Sequence, residues 1–342
     1  MLEVREIYNL GITDALYDAS DITRPEGCDA TVGVFDAGEL LGCASIKGDI
    51  LVGFVISPKA QGEGLLATLC TELINRGVQN GRSTFYIFTK PETTQLFAGC
   101  GFQTIAATDH ASLLEWGADS IGAYCSRLRA LSADKPENAA CIVMNANPFT
   151  LGHQFLAREA AARHPWLYVL VVEEDKSVFP FADRLELVRQ GLAGVPNVTV
   201  MGGGKYVISQ LTFPTYFIKD EDVHDAQSGM DVQLFGKYIA PALKVATRLV
   251  GEEPHCAVTA SYNETMKRML PGYGIEVTVI PRKVWAGKNQ KGSVISASTV
   301  RGLIQGGNMD TVKNLVPETT YAFLRSPRGM AVTKAIMEQA HK

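Results

Sequence analysis

The sequence predicts an α/β protein of two domains, and three observations carry that expectation. The front third opens with three β-type runs in quick succession (30–35, 40–46, 51–56) before its first long helical pattern. From residue 141 onward strands alternate with helices, which predicts parallel pairing. Between these blocks lies a polar, proline-containing stretch, Ser132-Ala133-Asp134-Lys135-Pro136-Glu137-Asn138, of the kind that links domains. The expected division is a front domain at 1–132, a linker at 133–139 and a rear domain at 140–342.

In the front domain the three strands are joined by tight turns at Asp36-Ala37-Gly38 and Lys47-Gly48-Asp49. Ser57-Pro58-Lys59-Ala60-Gln61-Gly62-Glu63-Gly64 then runs into a helical pattern over 65–78. A strand at 83–89, a short helix at 93–98, the turn Gly99-Cys100-Gly101-Phe102 and a helix at 119–131 complete it. No paired carboxylate or tyrosine declares itself as an acid or base in this half.

The rear domain starts with the apolar run 141–146 and a turn at Asn147-Pro148-Phe149. Thr150-Leu151-Gly152-His153 leads into a helix over 154–164. Strand 167–172, helix 183–192 and strand 198–201 follow. The aromatic stretch 206–217 is not assigned; 234–243 reads as helix despite Pro241. Strand 247–250, helix 262–270 and strand 275–280 precede a basic loop at 282–292. Ser296 or Ser298 caps a helix over 299–305, and the tail is helical over 309–325 and 330–341.

The corner at 147–153 has the chemistry of an anion site. Thr150 is a good N-cap type, so its hydroxyl can accept from a first-turn N–H. His153 falls beside the free N–H groups of that turn, at the positive end of the helix. Gly152 is expected to let a ligand approach the backbone. Lys205 follows Gly202-Gly203-Gly204 at a strand end, without the spacing of a Walker P-loop, and is a candidate nucleotide contact. Lys219 and His224 lie among acids and read as a solvated face; His110, His164, His255 and His341 belong to no constellation.

A net charge of −4 invites neither nucleic acid nor an anionic membrane surface. Seven scattered cysteines, odd in number and without a Cys-x-x-Cys pair, argue for a reducing cytoplasm and against a zinc site or disulfide framework. The first residues, MLEVREIYNL, do not read as a signal peptide, and no apolar run approaches the ~18 residues of a membrane span.

Thr150-x-Gly152-His153 after a first strand resembles the nucleotidyltransferase superfamily signature. Its second signature is matched by Ile295-Ser296-Ala297-Ser298-Thr299-Val300-Arg301, about 140 residues on. Ala297 replaces a serine, and Thr150 stands where many members have histidine, as in the phosphopantetheine adenylyltransferase branch. The front domain resembles the GNAT acetyltransferase fold, whose Gln/Arg-x-x-Gly-x-Gly/Ala turn holds the coenzyme A pyrophosphate. Gln61 and Gly64 match that turn, with Gly62 between them, while Leu66 stands where Gly or Ala is expected. That departure favours recognition of a pantetheine arm over N-acetylation. The resemblance implies a GNAT-like α+β domain followed by a Rossmann-like parallel-sheet nucleotidyltransferase domain.

Over nearly the whole chain the sequence is similar to the citrate lyase ligase family. The runs carrying this are 141–150, Phe179-Pro180-Phe181 with Asp183-Arg184, 212–219, 238–243 and 295–298. The resemblance implies that ATP, with Mg²⁺, and acetate give acetyl-adenylate. The thiol of the citrate lyase acyl carrier subunit then takes the acetyl group, releasing AMP and pyrophosphate. His153 and Thr150 would donate to the α-phosphate, Ser296 and Ser298 would cradle the β- and γ-phosphates, and Arg301 would neutralise the leaving pyrophosphate. Asn145, Asn147, Gly152 and Lys205 would join the nucleotide site, and Gln61, Gly62 and Gly64 would meet the pantetheine arm. Lys176 and Arg184 flank the Phe-Pro-Phe run, where related transferases bind phosphate or acceptor, and Lys176 reads as a solvated charge. Two alternatives remain at this point: an adenylyltransferase for a small pantetheine compound, or an acyl-CoA-binding or acetyltransferase protein with a relic nucleotide domain.

Overall fold

Seven strands build the front sheet: β1 (Glu3–Glu6), β2 (Ala30–Asp36), β3 (Glu39–Lys47), β4 (Ile50–Ile56), β5 (Thr84–Thr89), β6 (Gln103–Ala107) and β7 (Ser112–Gly117). They lie in the order β1-β2-β3-β4-β5-β7-β6. Every neighbouring pair is antiparallel except β4–β5, which is parallel and registers only at Ile50–Tyr86 and Leu51–Ile87. Past that point β4 and β5 part. This mixed sheet, with one splayed parallel pair, is the GNAT-like arrangement.

The helix Leu65–Gln79 follows β4 and buries Leu65, Leu69 and Leu73 with Phe85 and Ile87 of β5. Burying apolar area here is the main term holding the unit together. The sequence reading lacks β1, β6 and β7. EVRE and QTIAA carry little continuous apolar signal, and pairing to β2 and β7 makes them strands.

In this computed structural model the described residues are 2–20, 22–173, 177–209, 228–252, 257–281, 284–287 and 290–338. Expectations for Lys176, the aromatic stretch beyond Ser209, Lys219, His224, His255 and His341 fall outside them.

The rear sheet is wholly parallel. β8 (Ala139–Met144), β9 (Leu167–Val171), β10 (Val198–Gly202), β11 (Val245–Gly251) and β12 (Glu276–Ile280) lie in the order β10-β9-β8-β11-β12. The chain winds outward from β8 to one edge, then returns to β8's other side. Order therefore reverses at β8, where doubly wound sheets open a ligand crevice beyond the carboxyl ends. The pairing shows the opening directly. β11 pairs with β8 only from Ala139 to Cys141, whereas β9 follows β8 to Met144.

One face of this sheet is packed by the helices Leu151–Arg163 and Phe181–Leu192. The helices Ala297–Gln305, Met309–Val312, Glu318–Leu324 and Pro327–Glu338 share a second core around Phe179, Ile295 and Val300. Part of the loop expected at 282–292 is instead an antiparallel hairpin, β13 (Val284–Gly287) with β14 (Gln290–Val294). Its Gly and Lys content hid the β-branched ends, Val284 and Val294, that pair with each other. The expected helix around Pro241 is present as a π-type turn, Phe235–Ile239, running into Ala240–Ala242. Two compact units result: among the described residues the first runs to Arg127, inside the helix Ile121–Ser132, and takes in 228–230, and the second holds the rest.

Candidate active site

Beyond the carboxyl end of β8 the chain turns through Asn145–Phe149 and enters the helix Leu151–Arg163 at an N-cap threonine. The backbone N–H of His153 donates to Thr150 Oγ1 at 3.3 Å. In return the backbone N–H of Thr150 donates to His153 Nδ1 at 3.1 Å, and Thr150 Oγ1 lies 2.9 Å from that nitrogen. This is a reciprocal capping box in which histidine stands where Glu or Gln is usual. The Phe149 ring stacks on the imidazole, with centroids 5.9 Å apart and planes 15° apart. Gly191 makes room for Phe149, since a Cβ there would sit 2.4 Å from the ring.

Thr150 is 1% exposed. The reading that it donates to phosphate beside His153 is therefore corrected: its hydroxyl faces the cap and the imidazole, not the crevice.

A second helix start is built the same way. Ser296 caps Ala297–Gln305, accepting from the Thr299 N–H at 3.0 Å. Its hydroxyl also lies 2.8 Å from Ser298 Oγ and 2.7 Å from Thr299 Oγ1. Hydroxyls and first-turn N–H groups thus cluster at the positive end of this helix, as an oxyanion requires.

The two helix starts meet. The Arg301 guanidinium donates to the Asn147 carbonyl, 154 residues away in sequence. Burial lowers the Arg301 pKa from its ordinary value, yet a guanidinium remains cationic at any working pH. Gly152 supplies the other contact. A Cβ on Gly152 would lie 2.6 Å from the Ile295 carbonyl oxygen. The expectation that Gly152 admits a ligand is corrected: the space is filled by the backbone of the second motif. Gly152→Ala should cost about 1–3 kcal/mol, as overpacking against backbone does. It should also lower turnover by pushing the helix starts apart. Urea unfolding and pyrophosphate release would measure both; a wild-type midpoint and rate would show the close approach to be dispensable.

Asn145 and Asn147 lie in the turn between β8 and the capped helix. Asn145 is exposed, and its side chain exchanges hydrogen bonds with Ser177 at 3.1 and 3.2 Å. Asn147 Oδ1 accepts from the Phe179 N–H at 3.2 Å. Behind them Arg184 is wholly buried. It donates to the Asn145 carbonyl and Oδ1, both at 2.9 Å, to the Val172 carbonyl at 2.7 Å and to the Phe179 carbonyl at 2.9 Å. Arg184, placed by the sequence in a phosphate- or acceptor-binding run, instead ties three backbone segments together. Asp183 beside it pairs with Arg328 at 2.8 Å.

At the end of β10, Lys205 follows the triple glycine and its ammonium lies 5.8 Å from the Tyr206 ring centroid. The loop is filled by Glu173, whose Oε1 accepts the Gly204 N–H at 3.0 Å and lies where a Gly202 Cβ would fall. Sequence reasoning missed Glu173 and Ser177, since isolated polar residues after a strand carry no pattern. The stacking of Phe149 on His153 was missed too, although an aromatic four residues before a candidate histidine was there to be weighed.

In the front unit Gln61, Gly62 and Gly64 form an exposed turn ahead of Leu65–Gln79. Gly62 and Gly64 have φ of +86° and +75°, and no atom lies within 4 Å of a Cβ at either. Left-handed backbone, not crowding, requires glycine here. Leu66 packs against the core of this unit.

Among the rear-domain residues singled out, His153, Thr150, Gly152, Asn147, Ser296, Ser298 and Arg301 fall on the two joined helix starts and the turn before them. Asn145 is tied to that turn through Arg184. Lys205 lies apart in sequence, at the end of β10 beside Tyr206.

A parallel sheet reversing at β8, with paired helix starts beyond its first strand, defines a nucleotidyltransferase-type α/β domain behind a GNAT-like one. The family model for the citrate lyase ligase C-terminal domain matches residues 139–324. The [citrate [pro-3S]-lyase] ligase of Klebsiella pneumoniae is 43% identical over 83% of this chain and 83% of its own. That of Escherichia coli K12 is 40% identical over 87% of this chain and 86% of its own. The chain belongs to the citrate lyase ligase family. Among solved structures, the Escherichia coli ribosomal-protein-S18-alanine N-acetyltransferase is similar at 16% identity with a TM-score of 0.28, over 34% of this chain and 94% of its own.

Proposed function

We propose that the chain joins acetate to the thiol of the citrate lyase acyl carrier's prosthetic group at the expense of ATP. The observation that carries the mechanism is the meeting of the His153 and Ser296 helix starts through Arg301–Asn147 and Gly152–Ile295. Acetate is already an anion at neutral pH, given carboxyl pKa values of about 4, so its attack on the α-phosphorus needs no base. A carboxylate oxygen bonds to the α-phosphorus as the bond to the pyrophosphate oxygen breaks. His153 donates to the α-phosphate oxygen, where charge develops. Ser296, Ser298 and the N–H groups of their helix hold the β- and γ-phosphates, and Arg301 balances the departing pyrophosphate. The carrier thiolate then attacks the acetyl carbonyl and AMP leaves.

Asn145, Asn147 and Lys205 are proposed as further nucleotide contacts. Among the described residues no group of three His, Cys, Asp or Glu side chains is placed to hold a metal ion. The donors that are present, hydroxyls and N–H groups, suit phosphate oxygens, so Mg²⁺ would enter on the triphosphate and neutralise part of its charge. No described helix is long and apolar enough to cross a membrane, and the scattered cysteines suit a cytoplasmic setting.

The front domain, taken as 1–132 with a linker at 133–139 and the ligase domain at 140–342, is proposed to receive the pantetheine arm at Gln61, Gly62 and Gly64. The test is a mixture of ATP, acetate and deacetylated carrier. AMP and pyrophosphate should appear only with acetate; pyrophosphate without acetate would indicate an adenylyltransferase instead. Gly64→Val should raise the KM for carrier about tenfold or more, because L residues resist φ near +75°, while leaving acetyl-adenylate formation intact. Loss of adenylate formation in that variant would contradict the division of labour.

A further inference from the structure

We propose that Thr150 fixes which nitrogen of His153 carries the proton, so that the imidazole meets its substrate as an Nε2–H donor. This rests on the assignment of His153 to the α-phosphate and adds the chemical form of the ring.

A backbone N–H can only donate. The Thr150 amide is directed at His153 Nδ1 over 3.1 Å, so Nδ1 must present its lone pair. A neutral imidazole has one N–H, and with Nδ1 accepting it is on Nε2. The Thr150 hydroxyl acts in the same sense. Its oxygen accepts the His153 backbone N–H, and its proton can turn to Nδ1, 2.9 Å away. Both of these donors come from one residue. In an ordinary capping box the N3 side chain is Glu or Gln, which accepts from the cap. Imidazole accepts on one nitrogen and donates from the other, so here the ring that closes the cap is also the proposed catalytic donor. Phe149 stacks on the ring face and resists rotation about χ2. A flipped ring would turn a carbon, Cδ2, toward the Thr150 amide and forfeit the bond. Thr150 thus acts through His153: it is a positioning residue, enclosed in the corner and touching no substrate.

The test uses the full chain labelled with ¹⁵N-histidine, observed by NMR near neutral pH, together with steady-state pyrophosphate release. Wild-type His153 should appear as a single neutral form protonated at Nε2. Thr150→Val keeps the shape and the amide but removes the hydroxyl. With only the amide left to hold Nδ1, a minor Nδ1–H form should appear beside the Nε2–H form, and kcat should fall about tenfold or more, the lower end of the loss known for partners that orient a metal-bound imidazole. KM for ATP should stay within about threefold, because the change acts on the transition state. Thr150→Ser should restore both the spectrum and the rate. A wild-type ring protonated at Nδ1 overturns the proposal, as does Thr150→Val with a pure Nε2–H form and full kcat. Should Thr150→Val not fold, the wild-type spectrum still decides. Full activity in His153→Ala would strike the underlying assignment, an outcome separate from the tautomer result.

Discussion

His153→Ala is expected to lower acetate-dependent pyrophosphate release by about 10²–10³-fold, the loss typical of removing one donor aimed at a developing oxyanion. ATP should still bind, because the Ser296 cap and Arg301 do not depend on the imidazole for their contacts. The helix should also survive. Thr150 Oγ1 would still accept the backbone N–H of residue 153, so only the reciprocal half of the capping box is lost. Pyrophosphate release followed with saturating acetate, and nucleotide binding followed by calorimetry, would separate the two effects. A variant that turns over like wild type removes His153 from the mechanism. One that no longer binds ATP would make it a ground-state contact instead.

Arg184→Met should give the largest stability loss. The guanidinium is wholly buried and donates to the carbonyls of Asn145, Val172 and Phe179. Methionine fills similar space but leaves those oxygens without these donors, at about 1–3 kcal/mol for each one left unsatisfied. A loss of about 3 kcal/mol or more is expected, read as a lower urea midpoint at unchanged m-value. Arg184→Lys should fall in the same direction, since one ammonium cannot reproduce a planar fork serving three segments. Turnover should fall as well, because Asn145 Oδ1 is held by the same guanidinium. A methionine variant with the wild-type midpoint would mean that the three carbonyls find other donors easily.

Much of the site was legible because its chemistry is local. A threonine three residues before a histidine spells an N-cap, and the structure has that cap. Ser296 is likewise an N-cap, the first of the two serines offered by the sequence. Alternation of strand and helix after residue 141 was enough for a parallel sheet, and its central runs, β8 and β9, are continuous and buried on both faces, whereas the edge strands β10 and β12 are not. What stayed hidden depends on partners distant in sequence. Gly152 reads as an opening until Ile295 is seen to occupy it. Arg184 reads as flanking a run that binds phosphate or acceptor until its three carbonyls are seen around it. The strands β1 and β6 have too little apolar content to announce themselves, and pairing makes them.

The Thr150–His153 corner is also anchored from far downstream. The Leu151 N–H donates to the Leu315 carbonyl at 2.9 Å, and Thr320 Oγ1 donates to the Phe149 carbonyl at 3.0 Å, 171 residues away. A nascent chain emerging from the ribosome carries its histidine long before it carries these anchors. Any fragment ending ahead of Leu315 can form β8 and yet lacks the bonds that brace the turn after it. Premature termination or proteolytic cleavage ahead of Leu315 would therefore be felt at the Thr150–His153 corner, far in sequence from the cut.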